Sequence, residues 1–337
     1  MNKLLFPRIT VSIIALSIIF GFIQTSNVNA QEAAADAAQG IQVSPALAEL
    51  NAERGKTYTL TLKVVNVTLT KLTYTTTVND FNSKSETGAA NVILDGSLPK
   101  TASVIDWVSV LSGFTLDTRE SRTISAEITI PNDAEPGGHY GVIRFSGQAP
   151  ELSGTGVGLS ASTGMLLLIR VSGDIKESAS LASFYTANNG NQTSFFETSP
   201  IGFVTRIKNE GNIHVKPVGN IAIRDAFGNS VATVPVNDTK SNVLPGSIRR
   251  FDGEYKGGWM VGMYTADLTL GYGTTGQAIT NTITFWVIPY KIILVGLLIL
   301  ITLVFIASRL IKVYNRHIIT KAKNEKTKNK EAHKTKK

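Results

Sequence analysis

The sequence predicts an all-β protein: two tandem β-sandwiches, preceded by a signal peptide and followed by one transmembrane helix. Three observations carry this prediction. Alternating apolar and polar residues run through most of the chain between Ile41 and Trp286. Turn residues break that alternation at short intervals, the pattern of many short strands. Two uncharged apolar stretches sit at the ends, one short and near Met1, one longer and followed by a basic tail.

Residues 1–30 read as a secretory signal. Lys3 and Arg8 precede the uncharged run Ile9–Ile23, and Val28-Asn29-Ala30 supplies small residues for a cut before Gln31. The competing reading is an uncleaved N-terminal anchor. Residues 31–40 form a linker, with a short helix expected in its Ala-rich part, Glu32–Gln39.

The first sandwich is expected over 41–173. Tyr58, Leu60, Leu62 and Val64 alternate with Thr57, Thr59, Thr61 and Lys63, and Ile124, Ala126, Ile128 and Ile130 repeat the pattern. Both are strands with one buried and one wet face. Leu72, Tyr74, Thr76 and Val78 read alike. The unbroken apolar run Met165–Ile169 predicts a central strand covered on both faces. Asp95-Gly96, Pro131-Asn132-Asp133, Glu135-Pro136-Gly137-Gly138 and Ser172-Gly173-Asp174 supply turns.

The second sandwich is expected over 174–287. Ser178–Ser199 is polar and reads as a loop centred on Asn188–Asn191. Strands are expected around Phe203–Lys208, Ile221–Ile223, Tyr264–Tyr272 and Ile279–Val287. Thr118–Ile124 with Pro136–Val142 resembles Pro245–Phe251 with Val261–Ala266. Each reads as a strand, a turn and a Gly-x-Tyr strand whose Tyr caps the core, so one architecture is expected twice.

Residues 288–310 form the transmembrane helix. Ile292–Ser308 is uncharged, and extension from Pro289 to about Leu310 gives about 33 Å, enough for a hydrocarbon core of about 30 Å. Trp286 and Tyr290 fall at interfacial level. A buried core helix is the alternative. Residues 311–337 are a basic cytoplasmic tail, expected to lie unfolded against anionic lipid.

Charge supports this topology. The formal net charge is +8, but Arg309–Lys337 holds eleven Lys/Arg and two Glu, leaving Gln31–Tyr290 at −4. The positive-inside rule holds the tail in the cytoplasm and places the body outside. A mildly acidic body argues against nucleic-acid binding. The chain has no cysteine, which excludes disulfides, thiolate metal sites and cysteine nucleophiles.

Catalytic and metal constellations are not evident. The exported body holds only His139 and His214, too few for a zinc site in this spacing. Asp133 and Glu135 lie two apart in a turn and assemble neither a calcium site nor a hydrolase pair. Gly154–Gly158 lacks the Lys of a phosphate loop, and Gly158–Ser162 lacks the final Gly of a nucleophile elbow. Leu98–Ala102 is similar to a sortase signal but sits mid-chain and reads as a loop. Asn66, Asn191 and Asn237 each begin an Asn-x-Thr acceptor. The candidate ligand contacts are Asn209, Asn212 and His214, polar residues of one loop, weighed against a plain tight turn.

The segments Ile41–Leu50, Ile128–Val142 and Ile207–Gly219 resemble bacterial surface proteins of the WxL-interacting class, an N-terminal module of which is described as peptidoglycan-binding. The resemblance spans most of the exported body and continues in the span and basic tail. It implies immunoglobulin-like sandwiches and a role in surface attachment, and it carries over no binding residue. The expected function is therefore a non-enzymatic, single-pass surface protein that binds peptidoglycan or another surface protein. No cofactor or nucleic-acid partner is expected. The alternative is an accessory or chaperone-like subunit of a membrane secretion or assembly complex. A wall hydrolase is a third reading, which needs the paired acids or metal site not evident here.

Overall fold

A computed structural model describes residues 40–148 and 162–334, with backbone alone for 326–334. The signal peptide, the linker up to Gln39 and the Gly154–Gly158 segment lie outside the described residues.

Strands dominate. The first half contains β1 (Ile41–Ser44), β2 (Leu47–Ala52), β3 (Thr57–Asn66), β4 (Leu72–Asn82), β5 (Asn91–Ile93), β6 (Val108–Ser109), β7 (Gly113–Leu116), β8 (Ser121–Thr129), β9 (Gly137–Gln148) and β10 (Ser162–Val171). They form two sheets, ordered β1-β3-β8-β6 and β2-β10-β9-β4-β5, with β7 also paired to β4. One core lies between them. β3 and β8 contribute Leu62, Val64, Ile124, Ala126 and Ile128, the inward members of the alternation. The opposite sheet contributes Tyr74, Ile143, Phe145, Met165, Leu167 and Ile169. β10 lies between β2 and β9, and Leu168 on its outer face is buried as well as the inward Met165, Leu167 and Ile169, which accounts for the nearly unbroken apolar run.

The second half contains β11 (Ala179–Asn188), β12 (Asn191–Gln192), β13 (Phe195–Phe196), β14 (Ile201–Asn209), β15 (Val218–Asp225), β16 (Ser230–Val236), β17 (Ile248–Tyr255), β18 (Gly262–Tyr272) and β19 (Gln277–Val287). Its sheets run β12-β11-β14-β17 and β13-β19-β18-β15-β16, around a separate core that includes Phe203, Ile221, Leu268 and Phe285.

The two halves repeat one plan. The order β2-β10-β9-β4-β5 recurs as β13-β19-β18-β15-β16. In both, only the first pair is parallel. β3-β8 recurs as β14-β17. The turns before β8 and β17 match residue for residue, with a left-handed residue at Arg119 (φ 59°) and Gly246 (φ 70°).

Three expectations need correction. Ser178–Ser199 is not a loop: β11 is a ten-residue strand along β14, and Asn189-Gly190, both at positive φ, turn it into β12. A register shift between Leu181 and Ser183 breaks its alternation, and the buried positions 186 and 187 hold Thr and Ala where larger apolar residues would have marked a strand.

The shared Gly-x-Tyr motif is offset by one. Gly137 (φ 130°) and Gly262 (φ 111°) open β9 and β18 opposite Val171 and Val287. The residue matching Tyr264 is therefore His139, not Tyr140. Both His139 and Tyr264 point inward and are buried. His139 is held by the carbonyls of Ala102 (2.9 Å) and Glu135 (2.8 Å).

The basic tail is helical as far as Lys334. α1 (Tyr290–Lys334) runs for 45 residues, about 68 Å, so the helix continues through the charged segment. The apolar span supplies the nucleus, and Lys, Arg, Ala and Glu propagate it at little cost. α1 includes a stretch long and apolar enough to cross a membrane, with none of it buried against the sheets.

Gly137 joins the halves as well as opening β9. A Cβ there would lie 2.7 Å from the Asn212 carbonyl oxygen. Gly137→Ala combines that clash with a backbone region hostile to L-residues. It is expected to cost about 2–3 kcal/mol, read as a lower melting temperature of the detergent-solubilised chain.

Candidate binding cleft at the junction of the two halves

The loop between β14 and β15 meets the first half at the turn before β9. Gly138 N–H donates to the Asn212 carbonyl at 2.8 Å. Glycine is required again at 211, where a Cβ would sit 2.1 Å from the Lys176 carbonyl oxygen.

The three sequence-nominated residues separate here. Asn209 is fully buried and lines neither of the two cavities at the junction. Its amide donates to the carbonyls of Ile213 (2.7 Å) and Val243 (2.8 Å), and its Oδ1 accepts the Gly211 N–H at 2.9 Å. Asn66, the last residue of β3, occupies the same place in the first half. It donates to Thr70, Leu116 and Asp117 carbonyls and accepts the Thr68 N–H. The pair are fasteners of the repeated plan. Of the three acceptor asparagines, Asn66 and Asn237 both have their amides bound to backbone carbonyls.

Asn212 is a cross-brace. Its amide donates to the Asp174 carbonyl at 2.8 Å and the Pro136 carbonyl at 3.4 Å, and its Oδ1 accepts the Lys176 N–H at 2.8 Å. It ties the linking segment to both halves.

His214 alone lines the cleft. This cavity, about 410 Å³, is bordered by Glu49, Arg170, His214, Lys216, Tyr272 and Thr274, with Glu177 at its wall. A second cavity of about 460 Å³ opens beside it, lined by Phe81, Tyr140 and Asn212 among others. Tyr140 and His214 meet between the two, hydroxyl to Nδ1 at 3.3 Å and rings edge to face.

The charges of the cleft are paired. Lys216 contacts Glu49 at 2.6 Å, and Asn242 donates to the same carboxylate at 3.0 Å. Arg170 contacts Glu177 at 3.2 Å, and the Thr274 N–H and hydroxyl donate to Glu177 at 2.6 and 2.8 Å. Burial works to raise both carboxyls. For Glu49 the Lys216 and Asn242 contacts outweigh it, and for Glu177 those of Thr274 and Arg170 do, so both sit below the ordinary range. Burial depresses His214 to about 4, against the opposing pull of Glu49. Burial pushes the Tyr140 phenol up. At neutral pH the cleft thus offers two balanced ion pairs, a neutral imidazole and hydroxyls. Among the described residues no group of three or more His, Asp or Glu converges as a metal site.

A further clasp lies outside the cleft. Glu86, in the loop between β4 and β5, binds Arg206 of β14 through both carboxylate oxygens, one at 2.7 Å. The Glu86 carbonyl accepts the Arg250 N–H at 2.8 Å. The Arg206 hydrogen bond holds the Glu86 carboxyl low. Both side chains are partly exposed, so a Glu86→Gln, Arg206→Gln double-mutant cycle is expected to yield a coupling of about 0.5–1 kcal/mol in urea denaturation.

Sequence reasoning missed Glu49, Glu86, Tyr140, Arg170 and Lys216. Their partners lie far along the chain, as with Glu49 and Lys216, and nothing local marks them. Tyr140 had one signal: with its neighbour inward, the alternation of β9 turns it outward.

Comparison with known proteins adds fold likeness only. No family model and no curated protein matches the chain. Among solved structures, the class 5 fimbriae chaperone CfaA aligns at 13% identity and TM-score 0.37, covering 72% of this chain and 98% of that one. The Salmonella enterica SafA pilin–SafB chaperone complex gives 12% and 0.34, covering 72% and 96%. The CsuC–CsuE chaperone–tip subunit complex of Acinetobacter baumannii gives 9% and 0.34, covering 72% and 97%. Superpositions this loose carry over neither partner nor activity.

Proposed function

We propose that the chain is a membrane-anchored binding protein that presents two immunoglobulin-like modules on the outer face of a cell. Its ligand is cell-wall polymer or another surface protein. The observation that supports this reading is the charge-balanced cleft at the junction, held open by braces from both halves. Balanced ion pairs, neutral His214 and the Thr274 hydroxyl favour a hydroxylated, uncharged polymer over a polyanion. α1 anchors the body, and its basic continuation lies on the cytoplasmic side against anionic lipid. The test is co-sedimentation of the full chain, in nanodiscs, with purified cell-wall sacculi. Binding should persist at high salt and weaken several-fold in Thr274→Trp, which fills the cleft. No sedimentation with sacculi, and no surface protein captured by crosslinking on intact cells, overturns the reading.

A second reading, a chaperone-like or accessory subunit of a membrane complex, is favoured by one feature. Among the described residues, the edge strand β2 pairs on one side only, carries exposed Leu47, and borders the cleft through Glu49, Leu50 and Asn51. A stoichiometric partner crosslinked to β2 in place of sacculus binding would select this reading.

A further inference from the structure

The exposed apolar side chains of the second half are not scattered. Phe227 is 90% exposed, Trp259 77%, Phe195 64%, Val261 57%, Trp286 40% and Ile288 39%. Strand register places them at one end. Gly262 and Met263 pair with Val287 and Trp286, so the Trp259–Val261 loop enters β18 at that end. Phe195 pairs with Trp286. Asp225 of β15 pairs with Tyr264, which brings the β15–β16 turn holding Phe227 to the same level. The remaining exposed large apolar residue described between β11 and α1, Val231, lies one residue into β16 beside that turn. The opposite end, at Thr274–Gly276, is polar and faces the cleft.

This end is also where the chain enters α1. Only Ile288 and Pro289 separate β19 from the helix, a reach of about 7 Å. Lys291 in the first turn of α1 contacts Glu197 at 2.7 Å, and Pro289 shares a cavity of about 260 Å³ with Trp259 and Met260. The rim therefore has little freedom to stand away from whatever surrounds the start of the helix.

We propose that this rim is a lipid-binding surface, in which Phe195, Phe227, Trp259 and Val261 enter the headgroup region of the leaflet that α1 crosses. The inference rests on α1 being a membrane span. Aromatic rings favour that depth, and a contiguous apolar patch in water is otherwise a liability. A protein partner would have to fit between the rim and the bilayer, a space that two connecting residues do not leave. The second half would then lie against the membrane as a seated base, not swing on a tether.

Absence of cysteine makes the test direct. Single cysteines at Ala226→Cys, Gly258→Cys, Thr275→Cys and Val304→Cys are labelled with an environment-sensitive fluorophore in the full chain. Ala226 is exposed, and a Cβ at Gly258 meets open space, so neither change disturbs packing. The variants are reconstituted in phosphatidylglycerol/phosphatidylcholine vesicles carrying shallow or deep spin-labelled lipid. Labels at 226 and 258 are expected to be quenched several-fold more than at 275, best by the shallow quencher, with 304 quenched by the deep one. Quenching at 304 with none above background at 226 and 258 overturns the proposal and leaves the span intact. No quenching at 304 overturns the span and the proposal together.

Discussion

Asn209→Ala is expected to unfold the second half at a temperature more than about 10 °C lower, while the first half melts as before. The amide is fully buried; its removal leaves the Ile213 carbonyl and the Gly211 N–H without partners and takes one of two donors from the Val243 carbonyl. Each such group costs about 1–3 kcal/mol, and a total of about 3–5 kcal/mol lies at the upper end for a single substitution. For a domain of this size each kcal/mol shifts the midpoint by about 4–8 °C. Asn66→Ala should do the same to the first half, where three carbonyls each lose one donor and the Thr68 N–H and hydroxyl lose their acceptor. Differential scanning calorimetry of the detergent-solubilised chain resolves the two. If Asn209→Ala left the melting profile unchanged and abolished ligand binding, its role would be that of a contact residue after all.

Acidification from pH 7 to pH 4.5 is expected to destabilise the junction, and His214 is the main cause. Its imidazole sits near 4 in the folded chain, against about 6.5 when exposed. A group depressed in this way keeps its full contribution above the unfolded value. That contribution falls as pH drops from about 6.5 toward about 4, where the folded imidazole also takes a proton. The limiting loss is about 3 kcal/mol. The carboxyls of Glu49, Glu86 and Glu177 are also held low, and the stability they contribute is lost only as pH falls below the ordinary carboxylate range. The interval between pH 6.5 and 5 therefore belongs to His214. Urea midpoints of the wild-type chain should fall across it, and His214→Gln should flatten the slope there. An unchanged slope in that variant would show that the imidazole is solvated.

The parts of the fold legible in the sequence were those where a strand has one wet face. β3 and β8 declare themselves because Thr, Lys and Glu separate their inward residues, and β10 because both its faces are covered. β11 escaped because its register shifts at Leu181–Ser183 and its buried positions include Thr186. The repeat was legible in the turns, where Arg119 and Gly246 share a conformation, but slipped by one along β9. A Tyr next to a His looked like the core residue when the His was.

The candidate site was less legible for a physical reason. Asn209 and His214 sit five residues apart in one polar loop, and composition does not separate a side chain turned onto its own backbone from one turned into a cavity. The charged wall of the cleft depends on Glu49 meeting Lys216 across 167 positions, and the outer clasp on Glu86 meeting Arg206 across 120. Pairings of that span follow from how the halves dock, which no local pattern encodes.

The last strand bears a mechanical consequence. β19 is an interior strand, paired along its whole length with β18 and at its C-terminal end with β13, and it continues almost directly into α1. A pull on the body, resisted at α1, would load β19 lengthwise. Its eleven rungs to β18 would then share the shear together instead of parting one by one.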